Sequence, residues 1–366
     1  MGPGVAIPPL DQYFSPDYAT ARERFHRAAD AAGAQLESLA LAARGPADEV
    51  LAIDIAWLGA ADARRILLHT SGIHGVEAYA GSAVQLALLD EPPAMGAGDA
   101  IALVHVLNPY GMAWLRRANE ANVDLNRNFI GAEESWSGAP PLYAMLDPLL
   151  NPGTPPRRDA FLWRMFALAL RQGYGPVKQA IAQGQYQFPR GLFYGGAQLE
   201  AGPQLFRQWL ERRLSHAEQV LAIDVHTGLG RWARDTLFGE PGRAAPAGLA
   251  AALGAALVDT RIDASAAYVI RGGLHEGIRS TLGTRAAGCV LQEFGTYSML
   301  HVISALREEN RWHFYGTGDP GHPAKAALLE ALCPKSRQWR ARVVARGAAV
   351  ARGGVKWLTD RSSDDL

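Results

Sequence analysis

Short apolar runs alternate with amphipathic stretches along this chain, and the alternation predicts an α/β architecture. Residues 50–57 and 65–70 read as strands, and a glycine-containing turn leads to a helix expected over 77–89. Residues 101–107 form another apolar strand, closed by the turn signal Asn108-Pro109-Tyr110-Gly111. Residues 220–225, 267–270 and 289–292 resume the sheet. Ahead of the first strand, residues 16–43 read as an amphipathic helix with Ser15 or Asp17 near its cap. Residues 131–203 differ in texture: Pro140-Pro141, Pro155-Pro156 and Gly195-Gly196 punctuate short helices such as 161–172. A connection of that length is expected to be an insertion or lid. The pattern divides the chain into an N-terminal helical segment, 1–45, a main unit, 46–330, carrying the insertion, and a polar C-terminal helix and tail, 331–366. It contains no internal repeat.

Composition narrows the class only slightly. The chain has 366 residues, 48% of them hydrophobic, enough to bury a large core. Lys plus Arg equals Asp plus Glu at 36 each, so the overall balance makes no electrostatic case for nucleic acid or a membrane surface as partner. The first residues lack a basic start followed by an apolar core, and the longest uncharged apolar stretch, 244–258, is too short to span a bilayer. Two cysteines, Cys289 and Cys333, exclude a disulfide scaffold and suggest a reducing cytoplasm.

The chemistry is concentrated in four segments: Ser71-Gly72-Ile73-His74-Gly75-Val76-Glu77, Val123-Asp124-Leu125-Asn126-Arg127-Asn128-Phe129, Ile223-Asp224-Val225-His226-Thr227-Gly228 and Leu291-Gln292-Glu293-Phe294-Gly295. Each adjoins an apolar run, and open α/β sheets bind ligands at the carboxyl ends of their strands. A catalytic zinc takes three N or O ligands from the protein and keeps a fourth position for water, whose pKa falls to about 7. His74, Glu77 and His226 could be those three ligands. The three-residue offset between His74 and Glu77, across a loop-to-helix junction, lets both turn toward one point.

In their order, HxxE, DLNRNF, DVH and a late Glu on an apolar strand, these segments resemble the zinc carboxypeptidase superfamily. That superfamily includes carboxypeptidase A, the murein-peptide amidases, and the aspartoacylases and succinylglutamate desuccinylases. The resemblance covers residues 50–330, strong at the motifs and weak between them, and is closest to a further branch rather than to any of those named. It implies a three-layer α/β/α fold around a mixed, largely parallel twisted sheet, and one Zn2+ per chain. It implies that Glu293 moves a proton between the attacking water and the leaving nitrogen. Asn126 and Arg127 match the pair that grips a substrate's terminal carboxylate. Arg117 matches an arginine that stabilises the oxyanion, with its neighbour Arg116 as the alternative. Asp124 matches the carboxylate that orients the first zinc histidine. Tyr268 has the spacing of a mobile tyrosine of the carboxypeptidases, without matching surroundings.

The expected activity is therefore zinc-dependent hydrolysis of an amide bond near a free carboxylate, on a small peptide. The alternatives are an N-acyl-amino-acid deacylase of the aspartoacylase type, or an inactive metal-containing carboxylate binder; the paired retention of Glu293 with Arg117 and Arg127 speaks against the last. His69 and His105, within apolar strands, read as core histidines. No GxSxG elbow supports a serine hydrolase. Tyr186, Phe188, Phe193 and Tyr194 either pack the core of the insertion or line a substrate entrance formed by residues 185–196.

Overall fold

The central strands are apolar on both faces, which demands cover on both sides of the sheet. The structure, a computed structural model, describes residues 10–131, 133–259 and 269–361. Among the described residues eight strands build one sheet: β1 (Gln35–Arg44), β2 (Val50–Gly59), β3 (Arg65–Ser71), β4 (Asp99–His105), β5 (Gln219–Gly228), β6 (Asp235–Phe238), β7 (Leu257–Val258) and β8 (Ala286–Gly295). Their order is β1-β2-β4-β3-β5-β8-β6-β7. The middle four, β4, β3, β5 and β8, run parallel; β1 and β2 join antiparallel on one side, and β6 pairs antiparallel with β8 on the other.

The helices are α1 (Tyr18–Ala31), α2 (Ala78–Asp90), α3 (Pro109–Ala113), α4 (Pro141–Leu150), α5 (Phe161–Gln172), α6 (Tyr174–Ala182), α7 (Ala201–Arg213), α8 (Leu249–Leu253), α9 (Leu274–Leu282), α10 (Met299–Tyr315), α11 (Pro323–Leu332) and α12 (Arg337–Thr359). The period-two alternation of a strand sends neighbouring residues to opposite faces. Leu67, Leu221, Ile223 and Val225 pack with Phe25 of α1, Val84 of α2 and Trp339 of α12. Ile66, Leu68, Val220 and Ala222 pack with Trp209 of α7 and Ile278 of α9. The result is the α/β/α sandwich expected from the motifs. A third apolar cluster joins α4, α5 and α6 to Val302, Ile303 and Leu306 of α10 and Leu328 of α11.

Several sequence expectations require correction. The stretch 16–43 is not one helix. It ends as α1 at Ala31, Gly33 takes φ +71, and residues 35–44 continue as edge strand β1 in antiparallel register with β2. The apolar spacing there fits either period, and sheet pairing decides it. The N-terminal segment is thus part of the main sheet. The C-terminal helix is not a polar appendage, because α12 buries Trp339, Val343, Val350, Val355 and Leu358. A Cβ on its Gly354 would stand 3.1 Å from Ile223 Cδ1, so the glycine permits close approach to the sheet. The presumed turn at Asn108 is a helix start: the Asn108 side chain accepts from Gly111 N and Pro109 opens α3. Of the strand expected at 267–270, residues 267 and 268 lie outside the described residues, and 269–270 are not in a strand. Among the described residues no helix is long and apolar enough to cross a membrane.

Trp339 ties the last helix to the sheet. It is fully buried, and its Nε1 donates to Gly295 O at 2.9 Å, at the end of β8. Trp339→Ala should lower unfolding free energy by about 3–5 kcal/mol, the usual range for emptying an aromatic site, as read from denaturant midpoints. A loss below about 1 kcal/mol would show that the helix is not held by this contact.

Candidate metal centre

The parallel strands β3, β5 and β8 end together, and each delivers part of one cluster. After β3, the chain turns through His74 and a single 3-10 turn, Gly75–Glu77, into α2. Gly75 fits here because it lies against another backbone: a Cβ would sit 2.0 Å from the Gly111 carbonyl carbon. On β5, His226 lies directly across from Glu293 of β8. Potential ligand atoms of His74, Glu77 and His226 lie within 4.8 Å of one another, and all three residues are buried.

The details fit a divalent cation. His74 Nδ1 faces Glu77 Oε1 at 2.9 Å, and His226 Nδ1 faces Glu77 Oε2 at 3.3 Å. His74 Nδ1 is buried yet makes no hydrogen bond, which is the state of a ligand atom aimed at an ion. Both imidazoles are backed at Nε2 by a carboxylate, His74 by Asp124 Oδ1 at 3.1 Å and His226 by Asp224 Oδ2 at 2.6 Å. Such backing fixes the tautomer and leaves Nδ1 for the metal. Four carboxylates, Glu77, Asp124, Asp224 and Glu293, crowd the two imidazoles, and two positive charges on one ion would offset them. The donor set of two imidazoles and one carboxylate suits zinc among common metals.

Burial alone would push the Glu77 carboxyl up, but His74, His226 and Arg117 outweigh it and hold the group far below the ordinary range. Thr227 N donates to Glu77 Oε2 at 3.0 Å, and Arg117 Nη1 donates to Oε1 at 3.0 Å. Burial would likewise depress His226; Asp224 and Glu77 overcome that and raise it well above its usual value. For Asp124, burial opposes ionisation, and Arg117, His74 and Arg127 together hold it well below the usual carboxylate range. Glu293 differs. Burial pushes it up to about 7, opposed by His226 and reinforced by the Glu77 charge, while Leu229 N donates to its Oε1 at 2.8 Å.

Of the two candidate arginines, Arg117 stands at the cluster. Its Nε donates to Asp124 Oδ2 at 3.0 Å, and its Nη2 lies 2.7 Å from His74 Nε2. Asp124 and Arg117 make opposite demands on that nitrogen, one needing an N–H and the other a lone pair. An ion at Nδ1 resolves the conflict in favour of Asp124, leaving Arg117 to its carboxylate partners. Arg116 instead points away, into a buried network with Glu309 at 3.0 Å and Asn122 at 2.8 Å. Arg127 is buried. Its Nε and Nη2 donate to Ala182 O at 3.1 and 2.5 Å, and its Nη1 donates to Asn126 O at 2.7 Å. Asn126 Oδ1 accepts from Leu274 N at 2.9 Å. Tyr268 lies outside the described residues.

His74, Glu77, Arg117, Asn126, Arg127, Asp224, His226 and Glu293 line a cavity of about 140 Å³. Its lining includes the apolar Ile181, Phe193, Met299, Val302, Ile303 and Leu306, and also His275, Glu240 and Cys289. The 131–203 segment therefore contributes to the wall through Lys178, Ile181, Ala182 and Phe193. Within 185–196 only Phe193 lines the cavity. Tyr186 donates to Arg127 O at 2.6 Å, Phe188 packs on Tyr143, and Tyr194 O accepts from Asp124 N, all support rather than lining. His69 and His105 are core residues, and burial lowers each to about 4.

Sequence reasoning assigned no role to Asp224, although Asp224-Val225-His226 carried a signal: two residues apart on a strand share a face. The lining residues of α6 and α10 carried none, because apolar positions on helices read as core.

The chain belongs to the family described as "Protein of unknown function (DUF2817)", whose sequence profile matches residues 14–346. No curated protein matches it. In structure it resembles bovine thrombin-activatable fibrinolysis inhibitor, solved in complex with tick carboxypeptidase inhibitor, with TM-score 0.50 and 10% identity over 95% of this chain and 98% of that one. Carboxypeptidase A from Helicoverpa armigera follows at TM-score 0.43 and 14% identity, covering 95% and 77%. Murein-tripeptide amidase from Escherichia coli O157 has TM-score 0.36 and 18% identity, covering 76% and 92%. The likeness is one of fold: this chain shares the α/β/α architecture of the first of these structures.

Glu293 allows a test of the site's electrostatics. Its folded pKa of about 7 exceeds the ordinary 4.5, so the fold favours the neutral acid. The stability this confers is complete below pH 4.5 and is lost as pH rises through 7. In chelator-treated protein, Glu293→Gln should therefore gain on wild type by up to about 3 kcal/mol between pH 4.5 and 8, followed by denaturant titration at each pH. A pH-independent gap would mean that Glu293 is not held neutral by burial.

Proposed function

We propose that this member of the DUF2817 family is a zinc-dependent hydrolase that cleaves an amide bond close to a free carboxylate, as a metallocarboxypeptidase does. The observation that carries the reading is the meeting of His74, Glu77 and His226 at the ends of β3 and β5, with Glu293 directly across on β8. His74 Nδ1, Glu77 and His226 Nδ1 would hold one zinc. When bound, that ion supplies a Lewis acid for the scissile carbonyl and activates a water.

The rest is work for the chain's own groups. Glu293 takes the proton of the attacking water and returns it to the leaving nitrogen. Arg117 stands beside Glu77 and offers guanidinium N–H groups to the oxyanion. Arg127 and Asn126, which line the same cavity, bind the substrate carboxylate. Asp124 and Asp224 are positioning residues that hold the two imidazoles. The buried, unpaired Cys289 and Cys333 support a cytoplasmic location.

An N-acyl-amino-acid deacylase is the second reading, and the apolar wall of Phe193, Met299, Val302, Ile303 and Leu306 favours it by offering room for an acyl chain. Release of free amino acid from parallel panels of dipeptides and N-acyl amino acids separates the two. Cleavage of neither by zinc-loaded protein would overturn both.

Purified protein should bind one zinc per chain, lost in His74→Ala and His226→Ala, with affinity falling about 10–100-fold in Asp224→Asn. Full zinc occupancy in both histidine variants would sink the site. Glu293→Gln should reduce turnover by at least ~100-fold while keeping zinc content. Arg127→Ala should raise KM most for substrates with a free carboxylate and matter less for their amides.

A further inference from the structure

The insertion carries a surface feature that the hydrolytic site does not use. Helix α5 buries only Phe161 and Met165 against the third apolar cluster. Its opposite side is also apolar, yet open: Leu162 is 55% exposed, Trp163 77%, Phe166 54% and Leu170 72%. At 3.6 residues per turn, Leu162, Phe166, Leu170 and Trp163 fall within a stripe of about 100°. Arg164 and Arg171, both exposed, run along one edge of that stripe. Tyr174, 57% exposed, extends it into α6 and donates to Met299 Sδ at 3.7 Å, a residue of the cavity wall.

The charge around the stripe is one-sided. Residues 151–175 contain Arg157, Arg158, Arg164 and Arg171 against a single acid, Asp159, a net of +3. Asp159 is paired with Arg307, and Glu308 with Arg307 and Arg311. The neutral balance of the whole chain conceals this imbalance. An outward apolar stripe edged by arginines, whose stems lie along it while their heads reach anionic groups, is the composition of a helix that rests in a lipid interface.

We propose that α5 docks this protein on an anionic membrane surface, with Leu162, Trp163, Phe166 and Leu170 in the acyl boundary and Arg157, Arg158, Arg164 and Arg171 on lipid phosphates. A second copy is the poorer occupant. A twofold axis through the stripe would set arginine edges against each other with no acid between them. The four side chains expose on the order of 500 Å², short of the about 800 Å² per partner of a standard interface. The docking does not depend on the assignment of the metal site. Through Tyr174 and Met299 it brings the cavity wall beside the lipid, where amphiphilic substrates concentrate.

The test is flotation of the full-length protein with vesicles. Vesicles containing phosphatidylglycerol should carry wild type upward, with at least tenfold less protein on pure phosphatidylcholine and with loss of binding in high salt. Leu162→Ser/Phe166→Ser and, separately, Arg164→Ser/Arg171→Ser should each reduce binding at least tenfold while circular dichroism and bound zinc stay at wild-type levels. Wild type that remains at the bottom with every composition overturns the proposal. So does flotation that either double variant leaves unchanged. A wild-type dimer in sedimentation that the Leu162→Ser/Phe166→Ser variant splits, without flotation, would assign the stripe to a second copy.

Discussion

A carboxylate with 1% of its surface exposed stays ionised only if the protein brings donors and positive charge to it, and Glu77 imposes that demand on everything around it. The Thr227 amide, the Arg117 guanidinium and the two imidazoles answer it. Each respondent then requires a partner of its own. Asp124 stands behind His74 and Arg117, Asp224 stands behind His226, and Thr70 donates to Asp224 at 2.7 Å. The polar shell therefore spreads outward from one group until it reaches the main chain. Its members come from the end of β3 and the turn that follows it, from residues 117–124 and from β5, so the cluster also locks three distant parts of the sequence together.

The sheet makes this possible because its parallel strands end in register. Thr70 is level with Asp224, and His226 with Glu293. Neither pairing is local, and the strands are joined by long connections over the faces. Residues 178–193 contribute to the wall of the cavity at those ends. They are anchored from beneath by Arg127, whose guanidinium donates to Ala182 O at the end of α6, and by Tyr186, which donates to Arg127 O. One arginine thus links the cavity floor to its wall.

Much of this was legible in the sequence because the chemistry sits where apolar runs stop. His74, Glu77, His226 and Glu293 could be placed at one end of a sheet from that fact alone. Residue 35–44 was not legible as a strand, since its apolar spacing satisfies a helix as well and only pairing with β2 distinguishes them. The choice between Arg116 and Arg117 required three dimensions: adjacent residues leave the chain in different directions, one to Glu309 and one to Glu77. The apolar wall from α10 was hidden for another reason. Val302 and Ile303 are core residues and cavity lining at once, and no pattern separates the two.

The position of α12 has a consequence for how the chain is made. This helix, at residues 337–359, covers Leu67 on β3 and Leu221 and Ile223 on β5, and its Trp339 grips the end of β8. The middle of the sheet therefore keeps part of one face uncovered until residues 337–359 have left the ribosome. Strands β3 and β5, neighbours in space, are also separated by roughly 150 residues of synthesis, about ten seconds or more of waiting. Until α12 is made, that apolar face has only α1 and α2 to shield it, and α12 is the clasp that closes it.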